Sequence, residues 1–327
     1  MASPARLPAM EAAVDVTAIL VNYNTRHLLE DCFGRLQAAS RGLRCRTIVV
    51  DNASADGSPD FIRRHWPDWL LIENGRNVGF GRANNQALPL VEGRYVLLLN
   101  TDAFVSPDAL EKTVAYMDAH PRCGILGVRL VGRDGAPQPA ARHFPTPWNL
   151  FLLRNGLARF FPKTQLIDDP DQTQDAPRPC DWVPGCYYLV RREVVEQIGL
   201  FDPRYFLYFE EVDHCLAAKR AGWEVVFYPH ATVVHLGGES AKSVGDVTPG
   251  GKQIEALQIE SELLYFRKNH GLPAALADVA LTLAGDGIQV AKRLLKGRPP
   301  ALRAYWNHAR QVFALFRQTR WGTRPTR

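Results

Sequence analysis

The chain has 327 residues, 46% hydrophobic and 22% charged, the mix of a folded protein with a sizeable core. That length fits two domains or one large α/β domain with an appendage, and the composition excludes a disordered chain, a fibrous repeat and a small disulfide scaffold. The formal charge of +5 is unevenly placed, because from Gln289 onward there are ten Lys/Arg and no Asp or Glu, leaving a body of net −5. A basic character confined to the C-terminal stretch argues against a nucleic-acid partner.

In chain order, Val16 to Asn22 is a nearly continuous apolar run of strand length, as in a strand buried on both faces of a parallel sheet. Leu28, Leu29, Cys32, Phe33 and Leu36 then recur at helical spacing. Thr47 to Val50, Leu70 to Glu73 and Tyr95 to Leu99 read as further strands. Ser58-Pro59-Asp60 and Ser106-Pro107-Asp108 read as helix starts, with Ser58 expected as the N-cap of the first. This alternation predicts a doubly wound, mostly parallel sheet. Gly132 to Pro147 and Pro162 to Pro179 have the composition of long surface loops. Tyr187 to Val190 returns to strand character and Val194 to Ile198 to a short helix. Val225 to Tyr228 and Thr232 to His235 read as two strands, and Ile254 to Phe266 as a helix.

The six cysteines (Cys32, Cys45, Cys123, Cys180, Cys186 and Cys215) form no C-x-x-C pair and no zinc spacing. Met1 to Asp15 is Ala/Pro-rich without the apolar core of a secretory signal. The most apolar stretch, Leu272 to Ala291, is expected to be broken by Asp278, Gly285, Asp286 and Gly287, which argues against a membrane-spanning helix. Together these features point to a cytoplasmic protein.

Three strands end in polar clusters: Asn22-Tyr23-Asn24, Asp51-Asn52 and Asn100-Thr101-Asp102. In open α/β sheets ligands bind outside the carboxyl ends of the strands, although Asn and Asp also serve as turn formers there. Asn77 to Asn85 (NVGFGRANN) is a Gly-bearing turn running into a helix start, where backbone N–H groups can face a phosphate. A P-loop and a dinucleotide fingerprint are both absent. Asp102, where a buried strand emerges, is placed to ligate Mg²⁺ or Mn²⁺. Tyr205 to Asp213 packs aromatics against Glu210, Glu211 and Asp213. Those acids either complement a helix dipole or include a general base whose pKa is raised by desolvation. His235, at a strand end before Leu236-Gly237-Gly238, is either structural or a ligand.

The ordered set ILVNYN (19–24), VVDNASADGS (49–58), NVGFGRANN (77–85), LLLNTDA (97–103), WVPGCYYLVRR (182–192), GLFDPRYFLYFEEVDHCLAAKRAGW (199–223) and VVHLGG (233–238) resembles the inverting family-two glycosyltransferases of the GT-A fold, in particular their bacterial rhamnosyltransferase-like branch. The resemblance implies a nucleotide-diphosphate-sugar donor. Asn22, Asn24 and Asp51 would hold base and ribose, and Asn77, Gly79 and Asn84 would line the nucleotide and sugar-phosphate region. Asn100-Thr101-Asp102 stands at the family's D-x-D metal motif with Asn in the first place, so the divalent cation would rest on Asp102 and His235. Glu210-Glu211 stands at the family's E-D motif, making Glu211 the base in place of Asp, with Glu210 as the alternative. Trp182, Gly185, Tyr208 and Asp213 would shape the sugar and acceptor pocket.

The organisation implied is a flexible tail (1–14), a GT-A domain (15–270, with a nucleotide-binding half at 15–128 and an acceptor half at 129–270) and a basic amphipathic helical extension (271–327). The donor implied is dTDP-L-rhamnose and the acceptor a cell-surface or lipid-linked glycan. A UDP-hexose enzyme of the same fold or an inactive nucleotide-sugar binder are the alternatives. The basic tail, interleaved with aromatics, reads as an interfacial segment for anionic lipid at the inner face of the cytoplasmic membrane, or as a helix packed on the domain.

Overall fold

The computed structural model describes residues 14–168, 175–237, 252–299 and 302–327. The expected N-terminal tail, but for its last residue, and Gly238 lie outside the described residues. The strands are β1 (Val16–Asn22), β2 (Cys45–Asp51), β3 (Leu70–Glu73), β4 (Tyr95–Asn100), β5 (Ala103–Val105), β6 (Cys123–Val131), β7 (Pro137–Gln138), β8 (Arg178–Pro179), β9 (Tyr187–Arg191) and β10 (Glu224–His235). The helices are α1 (Arg26–Ala39), α2 (Ser58–His65), α3 (Phe80–Gln86), α4 (Ala109–Ala119), α5 (Pro147–Arg154), α6 (Arg192–Ile198), α7 (Glu210–Arg220), α8 (Lys252–Leu295) and α9 (Leu302–Gln318). The chain divides into two compact units. The first takes in the described parts of Met1–Arg142, Asp169–Pro203 and Glu210–Pro249; the second takes in His143–Asp168, Arg204–Phe209 and Gly250–Arg327.

The first unit is built on one sheet, ordered β3-β2-β1-β4-β9-β6-β10-β5, with β7 paired to β6 and β8 to β10. β1 pairs in parallel with both β2 and β4, so its two neighbours and the layers above and below bury nearly every residue of the run. Register brings Asn22 opposite Asp51 and Val21 opposite Asn100, aligning three polar strand ends where the strand order switches. Beyond β4 the sheet becomes mixed: β9 lies antiparallel to both β4 and β6, and β6 runs parallel to β10. The expected parallel sheet therefore runs unbroken only across β3-β2-β1-β4, with β6 and β10 a second parallel pair. Local strand patterns do not reveal that residues near 190 enter the sheet between β4 and β6.

α1 buries Leu28, Leu29, Cys32, Phe33 and Leu36, the helical set read from sequence. Each such side chain contributes about 1.5–3 kcal/mol on full burial. α2 starts as expected, but its cap is Gly57 (φ 81°), while the Ser58 hydroxyl donates to Asp56 instead. The two expected strands at 225–228 and 232–235 are one strand, β10, with a register shift between Tyr228 and Thr232 where Pro229 cannot supply a ladder N–H. All six cysteines are free. Desolvation pushes the buried Cys123, Cys180, Cys186 and Cys215 thiols up to about 12, so none is a thiolate nucleophile at neutral pH.

In the second unit, a capping box between Thr146 and Asn149 starts α5. α8 stays helical through Asp278, Gly285, Asp286 and Gly287, contrary to expectation, and breaks instead at Gly271 (φ 80°, ψ −178°), two residues before Pro273. An isolated glycine costs a helix only about 1 kcal/mol. Asp278 is buried beside Glu262, whose carboxylate accepts from both terminal nitrogens of Arg154 on α5. At Gly285 a side chain would meet the Asn155 amide at 2.6 Å, so the glycine permits the close approach of α5. By length and composition alone a window of this helix is apolar enough to cross a membrane (mean hydropathy 1.3). α9 is amphipathic, burying Val312, Leu315 and Phe316. The chain after it returns to α8, where the Thr326 N–H and hydroxyl donate to Glu260 at 2.6 and 2.7 Å.

Candidate active site

The loops after β1, β2 and β4 are tied together by side chains. Asn22 Nδ2 donates to Asp51 Oδ1 (2.7 Å) and Ser54 Oγ (2.9 Å). Thr25 Oγ1 donates to Asn22 Oδ1 (2.6 Å) and lies 2.7 Å from Thr101 Oγ1. Asn24 adopts φ 54°, and its side-chain oxygen accepts the Ala55 N–H at 2.7 Å. Asn22 is fully buried, so its amide is a strut between loops. A second knot joins Asn52 Nδ2 to Asn77 Oδ1 (2.8 Å), with Asn52 Oδ1 accepting from Val78 N and Asn77 Oδ1 from Gly79 N. Gly79 (φ 91°) then opens α3, a conformation that suits glycine alone. Asn84, also buried, donates to the Phe80 carbonyl and leaves its own Oδ1 without a partner.

Asp102 and His235 meet at the ends of β4 and β10, with Nε2 3.6 Å from Oδ1. The backbone fixes this meeting: His235 pairs with Ala103 across β10 and β5, and Leu236 N donates to the Asp102 carbonyl. Gln138 sets the imidazole tautomer. Its Nε2 donates to the His235 carbonyl (2.9 Å), so its Oε1 faces Nδ1 at 3.2 Å and accepts that N–H. The Nε2 lone pair then points toward a carboxylate oxygen. Burial lowers the His235 pKa despite the opposing pull of Asp102, so the imidazole is neutral near pH 7. Two acceptors facing each other repel unless a cation lies between them. Beside them the buried Asn100 Oδ1 has no hydrogen-bond partner. This oxygen-and-imidazole set fits Mg²⁺ or Mn²⁺. No cluster of three or more His, Cys, Asp or Glu occurs among the described residues, so further ligands would have to be phosphate oxygens and water.

Glu211 sits in the first turn of α7, half-buried, with Glu210 and Asp213 buried beside it. Its carboxylate accepts from the Gly185 backbone N–H and from the N–H groups of the first turn, while Oε2 is buried without a partner. Desolvation raises its pKa above the usual carboxylate value, and the nearby Arg142 charge partly offsets that rise. A Cβ on Gly185 would lie 3.7 Å from the Phe80 ring and 4.0 Å from Glu211 Cβ. The Gly185 turn, the α3 start and the α7 start thus converge. The Gly185–Cys186 turn links the two groups: Glu211 accepts the Gly185 N–H, and the Cys186 carbonyl accepts the N–H of Asn100, two residues before Asp102.

The first unit thus brings together Asn22, Asn24, Asp51, Thr101, Asn100, Asp102 and His235 along the strand ends. It also gathers Asn77, Gly79, Asn84, Gly185, Glu210, Glu211 and Asp213 around the starts of α3 and α7. Trp182 is buried under the Arg142 guanidinium, 4.9 Å from its ring centroid. Tyr208 belongs to the second unit, where it and Phe209 hold left-handed φ values of 73° and 67°. Sequence reading missed Arg142 and Gln138. It also missed His27 and Arg133, which line a cavity of about 440 Å³ with Gln138 and His235. Arg133 and Gln138 lie in or beside the short connection after β6, and His27 in the first turn of α1, where a single polar residue carries no pattern of its own.

A sheet with parallel strands β3-β2-β1-β4 at one side and antiparallel β9 and β5 beyond, flanked by helices, is a GT-A fold, and the strand ends carry a carboxylate–imidazole pair with a desolvated carboxylate at a helix start. A family model for glycosyl transferase family 2 matches residues 17–199, and the chain belongs to that family. One relative is the N-acetylglucosaminyl-diphospho-decaprenol L-rhamnosyltransferase of Mycobacterium tuberculosis, 32% identical over 206 residues, 58% of this chain and 65% of that protein. The chain therefore spans just under two thirds of that relative. The dTDP-rhamnosyl transferase RfbF of Shigella flexneri is 25% identical over 265 residues, 78% of this chain and 81% of RfbF. Among solved structures, the mannosyltransferase PcManGT from Pyrobaculum calidifontis in complex with GDP-Man and Mn²⁺ has the same fold. It superposes with a TM-score of 0.53 at 20% identity, covering 96% of this chain and 91% of that one.

Proposed function

We propose that the protein is an inverting glycosyltransferase. It takes a sugar from a nucleotide-diphosphate donor, with dTDP-L-rhamnose the first choice, and moves it to a hydroxyl of a cell-surface or lipid-linked glycan in the cytoplasm. The observation that carries this reading is the Asp102–His235 pair at the strand ends together with the half-buried Glu211, joined through the Gly185–Cys186 turn that bonds to both Glu211 and Asn100. Relatives named as rhamnosyltransferases support the sugar, and the neighbour bound to GDP-Man and Mn²⁺ supports a nucleotide-sugar donor and a divalent cation.

In this mechanism, Asp102 and His235 would hold the divalent cation, with the Asn100 carboxamide oxygen beside them. The bound cation supplies Lewis-acid neutralisation of the leaving diphosphate. The Asn22–Asp51–Ser54 and Asn52–Asn77 knots keep the nucleotide-side loops in place before the donor arrives, so little ordering is left for the bound state. Glu211 takes the proton from the acceptor hydroxyl as that oxygen attacks the anomeric carbon from the face opposite the diphosphate. The desolvation that raises its pKa makes it a stronger base. Glu210, buried against the α3 start, supports the turn, which favours Glu211 as the base.

The test is release of nucleoside diphosphate from a panel of nucleotide sugars with Mn²⁺ and a lipid-linked acceptor. Glu211→Gln is expected to lower kcat by about 10³-fold while leaving donor binding intact. Asp102→Ala is expected to remove metal-dependent turnover. Donor binding without diphosphate release by the wild-type protein would instead make this a nucleotide-sugar binder.

A further inference from the structure

The basic C-terminal stretch is not used by this chemistry, and its side-chain arrangement is specific. In α9, Leu302, Trp306 and Phe313 are 60%, 66% and 51% exposed. At about 100° per residue these three fall within roughly a 40° sector of the helix. Arg303, Arg310 and Arg317 follow in the adjacent sector, also exposed, and among the described residues none of them has a carboxylate partner. The face that packs within the second unit, Val312, Leu315 and Phe316, lies on a different side of the helix. Leu295, at the end of α8, is 87% exposed. A purely solvated face would not line up leucine, tryptophan and phenylalanine.

We propose that this face of α9 lies in the interface of an anionic lipid bilayer. The Leu302–Trp306–Phe313 row would enter the headgroup–acyl boundary and the three arginines would remain at phosphate level. Charge selects this occupant. From Gln289 to Arg327 the chain carries ten cations and no anion, so a second copy would meet its own like charge across the contact, whereas an anionic surface complements it. The assignment does not depend on the identity of the donor sugar.

Flotation of the full chain with phosphatidylcholine vesicles, with and without about 30% phosphatidylglycerol, tests it; that lipid content is chosen on the order of a natural anionic leaflet. Binding is expected only to the anionic vesicles and is expected to be released by carbonate. Trp306→Ser with Phe313→Ser should cut partitioning by at least about tenfold. Arg303→Gln, Arg310→Gln and Arg317→Gln together should cut it on the order of a hundredfold and remove most of the salt dependence. Both variants should keep the wild-type melting temperature and turnover on a water-soluble acceptor, since only exposed groups change. No flotation of the wild type, or flotation undiminished in the Trp306/Phe313 variant, would overturn the proposal. So would resistance to carbonate, which indicates a spanning helix, or a dimer in solution that this variant dissociates.

Discussion

At the residue scale, Gln138 controls which nitrogen of His235 faces Asp102. Gln138→Leu removes the hydrogen bond to Nδ1 and the bond to the His235 carbonyl that orients the amide, and it is expected to weaken Mn²⁺ binding about 10–100-fold with the fold intact. Titration followed by Mn²⁺ electron paramagnetic resonance checks this. Unchanged affinity would show that the tautomer is set elsewhere. Glu211 acts as a base only when ionised, and burial raises its pKa above the ordinary 4.5. Turnover is therefore lost as pH falls through that raised value, so the acid limb of kcat/KM should lie above pH 4.5. Arg142 pulls the same carboxyl down, so Arg142→Ala should move the limb to higher pH. A limb that stays still would remove Arg142 from the site's electrostatics. Asp102 and Glu211 were legible in sequence because a buried strand ends at one and an aromatic-flanked helix begins at the other. Gln138 and Arg142 were not: a two-residue strand and an isolated bridge to Trp182 bring them in, and neither has a local period to read.

At the element scale, strands and helices with a strong apolar pattern read correctly, and corrections cluster where a distant partner decides. Leu272 to Ala291 carries charges and glycines that should stop a helix in isolation. Arg154, which pairs with Glu262 on the same helix as Asp278, and Asn155, both far off in sequence, turn Asp278 and Gly285 into packing positions. Burial, reinforced by the adjacent Glu262, pushes the Asp278 carboxyl up to about 10, so it is protonated at neutral pH. Because the folded value exceeds the unfolded one, its stabilisation is complete below about pH 4 and is lost as pH rises toward about 10. Asp278→Asn keeps the neutral hydrogen-bonding group and removes that penalty. The melting temperature is expected to rise by about 2–4 °C at pH 8 and to change little at pH 4. A drop at pH 8 would instead make Asp278 an ionised partner of Arg154.

At the scale of the whole molecule, sequence patterns identified the parallel strands but not the architecture that contains them. The insertion of β9 between β4 and β6 depends on pairings across about ninety residues, which no local window records. That insertion has a consequence for synthesis. When β4 leaves the ribosome, the central strand of the sheet has a partner on one side only, and its other edge is a row of unpaired N–H and C=O groups flanked by apolar side chains. At about 5–20 residues per second, closing that edge waits several seconds for Tyr187–Arg191 to emerge. The nascent chain passes through an interval in which this buried, apolar strand is open to aggregation. Chains stalled before residue 191 should bind chaperone more strongly than chains released after residue 235, and ribosome-bound intermediates probed by limited proteolysis would reveal it.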